Sequence, residues 1–217
     1  GLYSDAACTK LVAQFPATDA NGASQVIISA TQATMYVKEI SAPDGYYRNQ
    51  AAYPVSTLAG VTTNQEVKDD RVKATIRLVK KDKETGSTPQ GDATFEGAVY
   101  GLYAKAAINH PDGKTGTVYA AGAQAGTFRI DKAGNASLSD LYLGSYYIKE
   151  ITPPAGYLID PDAHDVTCSY EGDLVAVVER TAGSSETVIK QPFQIIKAGN
   201  DGETTDAPLL KGLAQRF

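Results

Sequence analysis

The sequence predicts an all-β protein of tandem β-sandwich domains, and three observations carry that prediction. Short apolar or alternating segments recur between Gly, Pro, Asp and Asn turns. The composition, with 13 Tyr, 5 Phe, no Trp and 20 Gly, favours strands and turns, and no segment shows a helical period. Finally, one stretch is written twice, as MYVKEISAPDGY from Met35 to Tyr46 and as YYIKEITPPAGY from Tyr146 to Tyr157.

Taken in chain order, the first unit opens with GLYSDAA at Gly1, which matches GLYAKAA at Gly101, 100 positions on. Its acidic box is centred on Glu39, 111 positions before Glu150. The two spacings differ by 11, so the second copy carries an insertion, placed in the Gly/Ala-rich YAAGAQAGTF as a longer hairpin loop. Inside the second unit, strands are expected at KATIRLVKKD, AVYGLYA, GTFRI, GSYYIKEI, DVTCSYE, LVAVVER and ETVIKQ, with a tight turn at Asp131–Asn135. About seven short strands suit a sandwich. The trailing PFQIIKAGNDGE repeats TIRLVKKDKETG at a spacing of 117. The expected organisation is a domain over 1–70 lacking its first strand, a complete domain over 72–190, and the first strand of a further domain over 193–217. Two explanations of these matching ends are open: the chain is a piece of a longer array cut at equivalent repeat points, or the last strand completes 1–70, in the same chain or in a neighbour's.

Several function classes drop out on composition. A net charge of −5 with no Lys/Arg block argues against a nucleic-acid or anionic-membrane surface. No apolar run approaches the roughly 18 residues of a membrane helix. The chain starts at Gly1 without a charged or apolar leader, so any targeting signal is expected to have been removed or to lie outside it. Cys8 and Cys168 fall at non-equivalent repeat positions and read as two thiols, with an inter-domain disulfide as the alternative. DGKTG at Asp112 lacks the upstream glycine of a phosphate loop, and His110 and His164 are the only histidines, without metal spacing. No metal and no cofactor are expected. DPDAHD, Asp160 to Asp165, reads as a solvated acidic loop.

The chemistry lies in side-chain parity. Alternate residues of a strand share a face. Glu150 therefore points with Tyr146 and Ile148, Glu39 with Met35 and Val37, Lys80 with Ile76 and Leu78, and Lys197 with Phe193 and Ile195. An unpaired buried charge is costly, so each such group needs a partner or must lose its charge. Burial lowers a lysine pKa and raises a carboxyl pKa. A neutral amine is a nucleophile, and a protonated carboxyl can polarise a carbonyl.

These residues carry a resemblance over essentially the whole chain. Lys80 and Asp82 in KKDKETG, the GAVYGLY run and the box YYIKEITPPAGY together resemble the Cna-B, or SpaA-type, repeat of Gram-positive surface adhesins and pilins. The resemblance implies a prealbumin-like, Ig-like β-sandwich and a spontaneous isopeptide bond from the early lysine to an Asn or Asp at the end of the last strand, assisted by the Glu of the box. Carried onto this sequence, it implies Lys80 with Glu150 and, where the family has Asn, Gln191; an unreacted Lys80–Glu150 ion pair is the alternative. In the first unit it implies Glu39 and Asp69, with Lys197 of the trailing strand as the matching lysine, acting within one chain or between chains.

The expected function is that of structural stalk or shaft repeats of a cell-surface adhesin or pilin, not an enzyme beyond this self-catalysed bond. The expected location is extracellular, on the Gram-positive cell wall, with neighbouring repeats or subunits as partners, joined head to tail. The alternative is a ligand-binding adhesin domain that recognises a host protein or glycan through its tyrosines, Tyr100, Tyr103, Tyr119, Tyr142, Tyr146, Tyr147 and Tyr157.

Overall fold

The computed structural model describes residues 1–29 and 32–195, and every regular element among them is a β-strand. The first part of the chain contributes β1 (Leu2–Tyr3), β2 (Leu11–Ala13), β3 (Ala33–Lys38), β4 (Tyr46–Tyr47), β5 (Ala52–Thr57) and β6 (Asp70–Arg71). The second contributes β7 (Lys73–Asp82), β8 (Val99–Ala104), β9 (Ile108–Asn109), β10 (Thr117–Tyr119), β11 (Gln124–Arg129), β12 (Asn135–Leu141), β13 (Gly144–Thr152), β14 (Ala163–Cys168) and β15 (Val177–Glu186).

The second part is a sandwich of a four-stranded sheet, β11-β8-β13-β14, and a three-stranded sheet, β12-β7-β15. Alternation dictates which faces meet. In β7 the residues Ala74, Ile76, Leu78, Lys80 and Asp82 are all buried while their neighbours are less so, and in β13 Tyr146, Ile148 and Glu150 are buried while Lys149 is exposed. The two inner faces close on one core with Tyr100, Leu102, Phe128 and Val178 at its centre. Each large side chain removed from water contributes roughly 1.5–3 kcal/mol.

β15 differs from expectation. Two strands, LVAVVER and ETVIKQ, were expected at the end of this unit; instead one ten-residue strand runs through Thr181-Ala182-Gly183 and stops at Glu186. It pairs in parallel with β7 along its whole length, from Val177 opposite Lys73 to Glu186 opposite Asp82. That continuous ladder satisfies the backbone of a Gly/Ser segment that would otherwise favour a turn. β12 likewise forms where only a turn into the next strand was expected, as the other neighbour of β7.

The two copies of the box fold the same way. Tyr157 donates its N–H to Pro154 O at 3.3 Å and Tyr46 to Pro43 O at 3.1 Å, closing four-residue turns whose third residues, Gly156 and Gly45, both have φ +88°. A positive φ at that position is what a type II turn requires and what glycine supplies without strain. Each box then meets the end of its own unit. Tyr157 bridges Val188 and Tyr46 pairs with Arg71, while Ile189 donates to Gly156 O and Val72 to Gly45 O, both at 2.8 Å.

The first part has only one of the two layers. Its sheet, β2-β1-β3-β5, corresponds in order and sense to β11-β8-β13-β14. Residues 14–29 and 58–69 form no strand, and among the described residues the buried core comprises only Leu2, Met35 and Val55. The reason is visible in the sandwich, where β12 and β15 both pair with β7 and not with each other. Among the described residues no strand takes that central place beside the first part's sheet.

Candidate functional site

Lys80 enters the sandwich core because β7 alternates, and Glu150 faces it from β13 for the same reason. Lys80 Nζ lies 3.4 Å from Glu150 Oε1 and donates to Tyr100 Oη at 3.0 Å. A third charged group closes the cluster. Glu186, the last residue of β15, makes an ion-pair contact with Lys80 Nζ closer than either of these, and its Oε1 also contacts Tyr100 Oη. The side chains of Lys80 and Glu150 are fully buried and that of Glu186 is 1% exposed.

The two carboxylates are held differently. Glu150 Oε2 accepts the backbone N–H of Asp160 at 2.7 Å, so this acid is fixed in place. Glu186 Oε2 is buried without a hydrogen-bond partner among the described residues. Around them, Ser184 Oγ donates to Asp160 Oδ2 at 2.9 Å, and His164 Nε2 lies 2.7 Å from the same oxygen. Asp160, expected in a solvated loop, is buried and forms the floor of the cluster.

Burial pushes the Lys80 ammonium pKa down against the opposing pull of Glu150. One cation and two adjacent carboxylates cannot all remain ionised in a dry interior at low cost, since each ion retains a penalty of several kcal/mol even in a relaxed protein. A neutral amine beside a carboxyl carbon, with a second acid fixed nearby, is an arrangement for amide formation. Below the cluster, Asp82 accepts from Tyr157 Oη at 2.8 Å and from the N–H groups of Glu84 and Thr85, and its carboxyl pKa is lowered to about 2, chiefly by the Thr85 N–H.

Of the expected site residues, Lys80 and Glu150 come together. Gln191 does not join them: it is exposed, beyond the end of β15, because the final strand is Val177–Glu186 and not ETVIKQ. Lys197 lies outside the described residues. Glu186 was missed, although the spacing of 117 that carries Lys80 to Lys197 also carries Asp69 to Glu186. The pairings of Tyr46 with Arg71 and of Tyr157 with Val188 give that same alignment independently.

The first part holds a matching acid pair. Glu39 Oε2 accepts the N–H of Asn49 at 2.7 Å, the counterpart of the Asp160 contact to Glu150. Burial, followed by the Asp69 charge, pushes the Glu39 pKa up against the Asn49 hydrogen bond. Asp69 Oδ1 is buried without a partner among the described residues. The two carboxyls thus lie near enough to influence each other, and among the described residues neither makes an ion pair with a lysine.

Other expected features resolve simply. Cys8 and Cys168 are free thiols. Tyr100, Tyr146 and Tyr157 are core residues, and Tyr103, Tyr119, Tyr142 and Tyr147 are half-buried, with Tyr103 stacked on Tyr147 at 5.2 Å. Among the described residues there is no group of His, Cys, Asp and Glu placed to hold a metal, and no helix is long and apolar enough to cross a membrane.

A family model for the SpaA prealbumin-like fold domain matches residues 74–181. No curated protein matches the chain. Among solved structures, the Bacillus anthracis TIE protein is similar at 22% identity with a TM-score of 0.52, over 73% of this chain and 25% of that one. The pilus 2b backbone protein of group B streptococcus is similar at 18% identity and a TM-score of 0.37, over 62% and 49% of the two chains. The major pilin SpaD of Corynebacterium diphtheriae is similar at 18% identity and a TM-score of 0.35, over 54% and 30%. The chain thus spans a quarter to a half of these proteins' length.

Proposed function

Through residues 74–181 the chain belongs to the SpaA prealbumin-like fold family, and on that premise we propose that it is a structural segment of the shaft of a Gram-positive surface pilin or adhesin, held outside the cell wall and joined to neighbouring repeats. The observation that carries this reading is the buried Lys80–Glu150–Glu186 cluster, which links the first and last strands of the sandwich. Such a cluster serves a permanent tie better than it serves ligand binding, because all three side chains are closed to solvent.

The proposed tie is an amide from Lys80 to Glu186. The neutral Lys80 amine attacks the Glu186 carboxyl carbon, Glu150 in its protonated form polarises the carbonyl and then passes a proton to the departing hydroxyl, and one water leaves. The amine's surplus proton returns to Glu150, so atoms and charge balance. Glu186 is the acceptor because one of its oxygens is unpartnered, whereas Glu150 is anchored by the Asp160 N–H. The product replaces a buried ion pair by a neutral amide, which removes the desolvation cost of both ions.

Intact mass under denaturing, reducing conditions tests this. The sandwich bond predicts a chain lighter by one water, with a branched tryptic peptide joining Lys80 to Glu186. Glu150→Gln is expected to restore the full mass. A full-mass wild-type chain would overturn the covalent reading.

A further inference from the structure

We propose that His164 is the outlet of a hydrogen-bonded route through Tyr100, Ser184 and Asp160 that carries a proton from Lys80 to solvent, so that the charge on His164 sets how fast the Lys80–Glu186 bond forms. The kinetic effect rests on the bond proposed above, whereas the route rests on geometry alone.

A lysine attacks only as the neutral amine, so Lys80 must first shed a proton. Solvent cannot take it directly, because the side chains of Lys80 and Glu150 are fully buried and that of Glu186 is 1% exposed. The groups leading away from Nζ form an unbroken series. Lys80 Nζ donates to Tyr100 Oη at 3.0 Å, Tyr100 Oη donates to Ser184 Oγ at 3.0 Å, Ser184 Oγ donates to Asp160 Oδ2 at 2.9 Å, and His164 Nε2 lies 2.7 Å from that same oxygen. Tyr100 Oη also contacts Glu186 Oε1, so its one proton serves either neighbour. Lys80 and Ser184 are 1% exposed, Tyr100 is 0% and Asp160 is 8%, whereas the His164 side chain is 27% exposed. The series therefore starts in the sealed core and ends at water.

The fold builds this series from its edges. The parallel ladder sets Ser184 of β15 opposite Lys80 of β7, and alternation turns both inward. His164 lies on the inner face of β14 with Val166 and Cys168, and β14 and β15 are the edge strands of their sheets. Asp160, in the loop between β13 and β14, is held from several sides. Its own N–H goes to Glu150 Oε2 at 2.7 Å, and its Oδ1 accepts the Asp162 N–H at 3.0 Å. Burial opposes its ionisation, yet the hydrogen bonds from His164, Asp162 and Ser184 outweigh it and hold the carboxyl pKa below the usual value. Such a carboxylate keeps a proton only in passing, which suits a relay. The other ionisable groups that face the route are Glu150 of β13, Glu186 of β15 and, on the loop, Asp162. Arg180 of β15 is directed to Thr167 O and Glu171, and Asp165 pairs with Lys105 on the outer face.

The transfer balances. Lys80 gives one proton to Tyr100 as Tyr100 passes its own to Ser184 and Ser184 its own to Asp160, and Asp160 hands that proton to the His164 tautomer that leaves Nε2 unprotonated. The three inner groups end as they began. Lys80 becomes an amine and His164 an imidazolium, which releases its proton to water.

The test starts from unlinked full chain, obtained by quenching brief cell-free synthesis into denaturant, and dilutes it into native buffer at set pH between 5 and 8. Near-ultraviolet circular dichroism follows refolding, and intact mass after a second quench follows the loss of one water. Histidine side chains characteristically change charge in this interval, and an imidazolium cannot accept, so wild-type linkage is expected to speed up as pH rises. Positioned proton transfer contributes about 10²–10⁴-fold in general, so His164→Ala is expected to slow linkage by at least about tenfold and to flatten its pH profile. Added imidazole should restore the rate in His164→Ala, whose gap opens to solvent. Ser184→Ala, which breaks the route inside the core without removing a charge, should be as slow and gain nothing from imidazole.

A His164→Ala chain that links at the wild-type rate with the wild-type profile would overturn the route. So would a slow His164→Ala chain that imidazole leaves slow and whose rate still climbs with pH, since His164 would then only hold the loop. A wild-type chain that refolds yet keeps its full mass at every pH is a different failure: it overturns the bond itself, and the kinetic role of His164 with it.

Discussion

At the level of single residues, the proposed bond gives Glu186 and Glu150 different tasks despite their common side chain, and substitution should separate them. Glu186→Gln retains a carbonyl at the acceptor position, so it is expected to form the same bond with loss of ammonia in place of water, read directly from intact mass. Glu150→Gln loses the acid that relays the proton and should stay unlinked. The proposed link would close a loop of about 100 residues, for which the chain-entropy model gives about 4–5 kcal/mol; chemical denaturation of the unlinked variant should show a loss of that order. Asp82 sets a separate dependence on pH. Its pKa is lowered from 3.8 to about 2, so the stability from its hydrogen bonds is fully present above about pH 4 and is lost as pH falls through about 2. Denaturation curves between pH 2 and 5 should show this loss in the wild type and less of it in Asp82→Asn.

At the level of elements, the turn after each acidic box is the most constrained piece of backbone. Gly156 has φ +88°, and a Cβ there would sit 2.6 Å from Ala93 Cβ; at Gly45 it would sit 2.7 Å from Pro111 Cβ. Gly156→Ala is therefore expected to cost about 1–3 kcal/mol, measurable as a lowered denaturation midpoint, and to loosen the Tyr157–Asp82 contact that follows the turn. Much of this was legible in sequence. The parity of β7 and β13 placed Lys80 and Glu150 on the buried face because a two-layer sandwich imposes a strict period of two. The far end of the last strand was not legible, because Thr181-Ala182-Gly183-Ser184 has the composition of a turn and becomes extended only when β7 supplies a parallel partner. That reading of the strand put Gln191, and not Glu186, at the strand's end, although Asp69 had been identified at the position equivalent to Glu186 in the first unit.

At the level of the whole molecule, the parallel pairing of β7 with β15 sends the chain in at one end of the sandwich and out at the other. Units joined this way stack along one axis, and the stack has a direction. A mechanical consequence follows from where Lys80 and Glu186 sit. Tension applied to the chain enters at Lys73 and leaves after Glu186, and a bond between Lys80 and Glu186 diverts it around everything from 81 to 185. Pulled singly, the unlinked sandwich should lengthen by somewhat under about 400 Å, the contour of the 114 residues from 73 to 186. The linked one should yield no more than about 28 Å, the contour of Lys73–Lys80. The core, with its tyrosines and aliphatic side chains, would then bear none of the force, and a row of such linked units would behave as a nearly inextensible cord whose folded mass hangs beside the line of pull.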